Sequence, residues 1–274
     1  MMATPPRFVV IGNPVGHSLS PAIHAQFAME TGTALEYATL LAPMEDFAGS
    51  ASAFFEGGGR GANVTLPFKI EALRFAASAT DRARLAGAAN VLTSTGGRIA
   101  ADNTDGAGLI ADLTRNLGVS LAGARIALLG AGGAARGVIA PLLESRPAAL
   151  VIANRTLDRA EALAKEFASL GPIEARTLAG VADGSFDVLI NATSTSTKGT
   201  PLALAPGCLA RGALAYDMAY GPAAKPFVEH ARALGARGSD GLGMLVEQAA
   251  EAFLVWHGTR PATAAVLATM RARP

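Results

Sequence analysis

Cysteine is almost missing from this chain. Of 274 residues only Cys208 carries a thiol. A single thiol excludes an intramolecular disulfide and any cysteine-built metal cluster. The four histidines show no zinc-type spacing, so no metal site is expected. An excess of one charge is missing too. Twenty-three basic residues against 22 acidic ones leave a net charge of +1, with no long run of either sign. That pattern argues against a nucleic-acid partner and against an anionic membrane surface. No stretch of about 18 apolar residues is free of charge, so no membrane span is expected. Residues 1–12 run straight into a strand pattern without signal-peptide organisation, which makes a cytoplasmic protein the expectation. Lysine is scarce as well. Only Lys69, Lys165, Lys198 and Lys225 occur, so a lysine inside a polar motif stands out.

What is present is apolar and ordered. Half of the residues are hydrophobic, enough for a substantial core. Strand patterns at Phe8 to Ile11, Glu36 to Leu40 and Ala62 to Thr65 alternate with helical ones. A helix starts at Ser20-Pro21 and stops near Gly32. A second is expected from Met44 to Phe55, after which Gly57-Gly58-Gly59 breaks the pattern. Pro67 is expected to open a third, with Lys69 in its first turn. Asn90 to Thr93 and Arg98 to Ala101 flank Gly96-Gly97 and read as a hairpin. Strands are expected near residues 126, 150, 173, 187 and 214, and the pattern turns helical after Ala236. This alternation predicts an α/β fold in both halves. The first domain covers residues 1–104 and is completed by 241–274, whose helices pack back on it. The second, of Rossmann type, covers 105–240.

Residues 125–159 carry the strongest local signal. Ile126 to Leu129 is a short apolar run of the kind that forms a buried parallel strand. It is followed at once by Gly130-Ala131-Gly132-Gly133-Ala134-Ala135, a G-x-G-x-x-A turn opening a helix. One glycine permits the tight bend, one lets the backbone approach a pyrophosphate, and a small third residue packs helix on strand. The helix N-terminus offers free N–H groups to the phosphates. A second strand pattern, Leu150 to Ala153, comes next. NAD-binding proteins usually place an acid near its end, for the ribose 2′-hydroxyl. Here the chain reads Asn154-Arg155-Thr156, with Arg159 beyond. A guanidinium is a poor partner for a hydroxyl pair and a good one for phosphate, so the expected cofactor is NADP (NADPH).

Three polar segments lie outside that motif. Gly16-His17-Ser18-Leu19-Ser20-Pro21 presents two hydroxyls at a helix start. Ser20 is the expected cap, which leaves Ser18 without a local role. Asn63-Val64-Thr65-Leu66-Pro67-Phe68-Lys69 places a cation in the first turn of a helix, where the macrodipole disfavours it. That suits a group that must exchange a proton, although an exposed surface lysine fits the spacing as well. Ala101-Asp102-Asn103-Thr104-Asp105-Gly106 places a carboxylate at another helix start, as a cap by Thr104 or Asp105 or as a partner for the lysine. Reducing a carbonyl by hydride needs a proton donor for the developing alkoxide. Lys69 is the best candidate, because no histidine lies in a comparable polar motif.

The chain resembles the NADP-dependent shikimate dehydrogenase family along nearly its whole length. The resemblance rests on GNPVGHSLSP at 12–21, NVTLPFK at 63–69, LAGAAN at 85–90, NTDG at 103–106 and GAGGAARG at 130–137. It continues through NRT at 154–156, NATS at 191–194, YDMAYG at 216–221 and DGLGMLVEQAAEAF at 240–253. It implies reversible NADPH-dependent reduction of 3-dehydroshikimate to shikimate, a step of aromatic amino acid biosynthesis. By position it implies Lys69 as catalytic lysine and Asp105 as its partner carboxylate. Ser18, Ser20, Thr65, Asn90, Asp105, Tyr220 and Gln248 are implied on the substrate side. Gly130, Ala131, Gly132, Gly133 and Ala134 are implied at the pyrophosphate, and Asn154, Arg155, Thr156 and Arg159 at the 2′-phosphate. Met218 and Gly241 are implied at the nicotinamide, and Asp81 near the cofactor. The segment NATSTSTKG departs from the family at Thr195, Thr197 and Lys198, which puts local cofactor contacts there in question. The implied partner is a small molecule, and a homodimer is compatible with the sequence. Two alternatives stand beside this one. A quinate/shikimate dehydrogenase of the same fold tends to enlarge one of the two hydroxyl positions to threonine, whereas Ser18 and Ser20 are both serine. A non-catalytic NADP-binding regulator would be expected to lack Lys69 or Asp105.

Overall fold

The computed structural model describes residues 5–196 and 202–273. It divides into two compact units, residues 1–108 with 246–274, and residues 109–245. The first unit opens with β1 (Arg7–Gly12), α1 (Ser20–Thr31), β2 (Glu36–Leu41), α2 (Phe47–Glu56), β3 (Gly59–Val64) and α3 (Lys69–Phe75). β4 (Ser78–Ala79), α4 (Asp81–Ala86), β5 (Val91–Thr95) and β6 (Arg98–Asp102) follow, and α5 (Asp105–Ala111) leads into the second unit. There β7 (Arg125–Leu129), α6 (Gly133–Glu144), β8 (Ala149–Asn154), α7 (Leu157–Phe167), β9 (Ile173–Thr177), β10 (Phe186–Asn191), β11 (Leu209–Asp217), α8 (Lys225–Ala233) and β12 (Arg237–Ser239) succeed one another. The chain then returns through α9 (Leu242–His257) and α10 (Ala264–Arg271).

The sheet of the second unit has the order β12-β11-β10-β7-β8-β9, and every neighbouring pair in it is parallel. Counted within the unit, that is the doubly wound order 3-2-1-4-5-6, whose switch point lies between β7 and β10. Helices cover both faces, so the strands must be apolar on both sides. Ile126, Leu128, Leu150 and Ile152 enter one core cluster. Their neighbours Ala127, Leu129, Val151 and Ala153 enter the other. This period of two explains the unbroken apolar runs.

The sheet of the first unit is mixed, with the order β2-β1-β3-β5-β6-β4. β1 runs parallel to β2 and β3, while β5 pairs antiparallel with both β3 and β6. On one face Val9, Ile11, Ala62, Val64 and Leu92 pack with Phe47, Ala51, Phe68 and Ala72. On the other, the Phe8 ring lies 4.8 Å from that of Trp256 of α9 at a tilt of 35°, and Phe27 of α1 meets Phe253 edge-on at 5.8 Å. The C-terminal helices therefore complete the first unit's core.

Four local expectations are corrected. The second helix starts at Phe47 rather than Met44, because the Asp46 carboxylate accepts the Gly49 N–H at 2.9 Å and fixes the cap there. The strand predicted at Ala62 begins at Gly59, within the glycine run. Pro67 does not open α3. The Phe68 N–H bonds the Thr65 carbonyl at 3.1 Å, closing a turn, so Lys69 is the first helical residue. After Ala236 the chain first makes β12, a three-residue edge strand too short to leave a periodic signal.

Candidate active site

In the first unit the polar segments converge. Lys69 stands at the N-terminus of α3 and Asp105 at that of α5, and Lys69 Nζ lies 2.5 Å from Asp105 Oδ2. Both side chains keep some exposure, 26% and 16%, so the pair is open to a ligand. Asp105 does not use its carboxylate for capping. The Asp105 N–H donates to Asn103 Oδ1 at 3.0 Å, so Asn103 supplies the acceptor and leaves Asp105 free for Lys69. The Lys69 carbonyl accepts from Ala89 N–H at 2.8 Å, tying the helix start to the segment that leads into Asn90.

Asn90 links the parts. Its amide nitrogen lies 2.9 Å from Asp105 Oδ1, 3.0 Å from Thr104 Oγ1 and 3.0 Å from Gln248 Oε1, while its oxygen accepts the Thr104 N–H at 2.8 Å. Asn90 and Gln248 are buried, at 2% and 8% exposure, so these bonds compete little with water. Asn103 is fixed in turn. Its N–H donates to Asp102 Oδ1 at 2.7 Å and its amide to the Ala88 carbonyl at 2.9 Å. Burial works to raise the Asp102 carboxyl. Hydrogen bonds from Arg82 and Thr80, with the Arg82 charge, outweigh it and hold the carboxyl below its ordinary range.

Ser20 does not cap α1 as expected. The N-cap position is Leu19, and Ser20 makes no side-chain cap. Ser18 Oγ accepts the Ser20 N–H at 3.2 Å, which leaves the buried Ser20 hydroxyl for another partner. Thr65 follows β3, its N–H bonded to the Ile11 carbonyl at 2.9 Å. Asp81, by contrast, is an exposed first residue of α4, paired 2.7 Å from Arg84. Tyr220 belongs to the second unit, just past β11, where burial raises its phenol.

The second unit holds a separate constellation. Gly130 has φ +111°, and a Cβ there would lie 3.0 Å from the Ala192 carbonyl oxygen, so only glycine makes this bend. Gly132 and Gly133 face open space, since a Cβ on either would meet nothing within 4 Å. Gly132 caps α6 and Gly133 is its first residue, with Ala131 and the exposed Ala134 on either side of them. Ala135, the third small residue of the fingerprint, is fully buried between helix and sheet. A helix start with free N–H groups beside open space fits a pyrophosphate. Asn154, Arg155, Thr156 and Arg159 gather where β8 passes into α7, with the Asn154 amide donating to the Thr156 carbonyl at 2.9 Å. Arg155 and Arg159 are exposed and form no ion pair among the described residues, which suits them to an added phosphate. Met218 N–H donates to the Asn191 carbonyl at 3.0 Å, and a Cβ on Gly241 would lie 2.4 Å from the Met218 carbonyl oxygen. Thr195 bonds Thr193 through their hydroxyls, while Thr197 and Lys198 lie outside the described residues.

The comparisons with known proteins give the family. The model of the shikimate dehydrogenase substrate binding domain matches residues 10–92, that of shikimate / quinate 5-dehydrogenase residues 112–201, and that of the shikimate 5'-dehydrogenase C-terminal domain residues 241–271. Shikimate dehydrogenase (NADP(+)) of Dechloromonas aromatica is 56% identical over 267 residues, covering 97% of each chain. The chain belongs to the shikimate dehydrogenase family. Among solved structures, an Ael1 enzyme from Pseudomonas putida is 43% identical, with a TM-score of 0.91 over 96% of this chain and 97% of that one. Shikimate 5-dehydrogenase of Thermus thermophilus, in complex with NADP(H) and shikimate, is 32% identical, with a TM-score of 0.86 over 97% and 98%. The side chains that sequence reasoning left out of the site are Asn103, Thr104, Asn63 and Tyr37. The first three sit inside the polar motifs. Tyr37 lies on an edge strand whose pattern carried no functional signal.

Proposed function

We propose that this family member is an NADP-dependent shikimate dehydrogenase that interconverts 3-dehydroshikimate and shikimate. The observation that carries this reading is the Lys69–Asp105 pair at 2.5 Å, held by the Asn90 amide in a cluster of short polar side chains. NADPH, when bound, supplies the hydride to the substrate carbonyl. As that carbonyl becomes an alkoxide, the Lys69 ammonium is placed to give it a proton, and in the reverse direction to take one back. The Asp105 carboxylate is the counter-ion of that ammonium and fixes its position. Asn90 holds Asp105 and, with Gln248, Ser18, Ser20 and Thr65, offers donors and acceptors to a small hydroxyl-rich anion. Gly130 to Ala134 would take the pyrophosphate, Asn154, Arg155, Thr156 and Arg159 the 2′-phosphate, and Met218 and Gly241 the nicotinamide side.

Residues 1–104 with 241–274 then serve as the substrate domain and 105–240 as the nucleotide domain. We take Tyr220 as a further substrate contact. The assignment of Asp81 to the cofactor has the least support, because its carboxylate is engaged by Arg84. No helix among the described residues is long and apolar enough to cross a membrane. A cytoplasmic location and a homodimeric assembly are proposals, checked by cell fractionation and by light scattering. The deciding experiment is a turnover assay with purified protein, following NADPH formation with shikimate and NADP, and with quinate or NAD in their place. Turnover strongly favouring shikimate and NADP is expected. None with any pair would overturn the proposal and leave the regulator.

A further inference from the structure

Tyr37 is part of none of the family motifs, yet its phenol reaches into the polar cluster. The hydroxyl donates to Asn63 Oδ1 at 2.6 Å, and the Ser20 side chain hydrogen-bonds the same phenol. With its oxygen acceptor thus engaged, the Asn63 amide is fixed in one orientation, its nitrogen donating to the Asn90 carbonyl at 3.2 Å. One half-buried hydroxyl therefore touches a side chain from each of two substrate-side motifs, GNPVGHSLSP and NVTLPFK. A phenol has one proton. Given to Asn63, it leaves the phenol oxygen as the acceptor for Ser20. Burial pushes the phenol well above its ordinary value, so it stays a donor at any working pH. The ring is clamped too, stacked at 4.3 Å and 8° on the fully buried His24.

We propose that Tyr37 is a positioning residue for substrate recognition, orienting the Ser20 hydroxyl and the Asn63 amide through one shared hydroxyl. This rests on the function proposed above. Tyr37 need not touch the reacting atoms. It fixes the direction in which two neighbouring groups present protons and lone pairs, so its loss weakens the grip on shikimate and leaves the nucleotide untouched.

The test is Tyr37→Phe in the full-length protein, which removes one oxygen and keeps the ring on His24. Wild-type turnover of shikimate with NADP is measured first, and its absence overturns the proposed function itself. Given that turnover, Tyr37→Phe is expected to raise the KM for shikimate by about fivefold or more, the worth of one protein hydrogen bond. The KM for NADP should stay at its wild-type value. A merely structural role would lower kcat by reducing the folded fraction and leave both KM values alone. A shikimate KM raised by less than about fivefold would overturn the inference. Should Tyr37→Phe fail to fold, Asn63→Ala breaks the same bond from its other end, and an unchanged shikimate KM there is equally fatal.

Discussion

Lys69 Nζ and Asp105 Oδ2 lie 2.5 Å apart although 36 positions separate them in the chain. Each stands at a helix N-terminus, and the side chain of a third residue, Asn103, satisfies the backbone at Asp105. The carboxylate is thereby released from capping and becomes the counter-ion of the lysine.

Lys69→Ala should cut kcat by about 10²–10⁴-fold, the usual worth of a positioned acid-base group. The KM for shikimate should change much less, because Asn90, Gln248 and the hydroxyl side chains remain. Steady-state kinetics check this, and a variant retaining more than about a tenth of wild-type kcat would remove Lys69 from the chemistry.

Asp105→Asn should lower kcat by at least about tenfold while the melting temperature moves only a few degrees. Asparagine keeps an oxygen for the Asn90 amide and removes the charge facing Lys69. Asp105 is not the cap, so α5 should survive. A melting curve paired with a rate decides it. Collapsed stability with full activity in the folded fraction would show Asp105 to be a structural residue.

Arg155→Ala should weaken NADPH much more than NADH. A hydrogen bond to a charged group is worth about 1.5–3 kcal/mol, or roughly 10- to 150-fold in Kd. Titrations of both cofactors at one fixed salt concentration, since the contact is ionic, read the difference. Equal losses for both would detach Arg155 from the 2′-phosphate.

His24 should make the protein sensitive to acid. Burial pushes its pKa down from 6.5 to about 3, with Asn63 opposing and the His257 charge assisting. His257, the titratable neighbour, is likewise pushed down by burial, and the remaining surroundings are the rings of Phe27, Tyr37, Phe253 and Trp256. The unfolded chain therefore binds a proton at His24 that the folded chain refuses. Stability is complete above pH 6.5 and falls as the pH drops from there toward 3. At pH 5 the loss is about 2 kcal/mol. Denaturant melts of wild type and His24→Phe across this range test it. The variant should show a shallower decline below pH 6.5, and parallel curves would contradict the assignment.

How the molecule was specified divides along the range of the interactions. The sequence by itself determined the α/β alternation, the strand–turn–helix at Ile126 to Ala135 and the arginine after β8. Each of these is written in neighbouring residues: period-two burial, a bend that only glycine adopts at Gly130, a small residue where helix meets sheet at Ala135. Lys69, Asp105 and Asn90 were legible because their motifs are short and polar, but nothing local ranked a catalytic role above a capping or surface one. Only the tertiary structure decided that. It gave the Asp105 N–H to Asn103 and the charge pair to Asp105, set the Ser18 hydroxyl on the Ser20 N–H, and brought Gln248 to Asn90 across 158 positions. It also turned Tyr37, an inconspicuous edge-strand residue, into a neighbour of Ser20 and Asn63. A side chain's hydrogen-bond partner depends on strand order and register between distant segments, and no property of the residue's own neighbourhood in the chain encodes that choice.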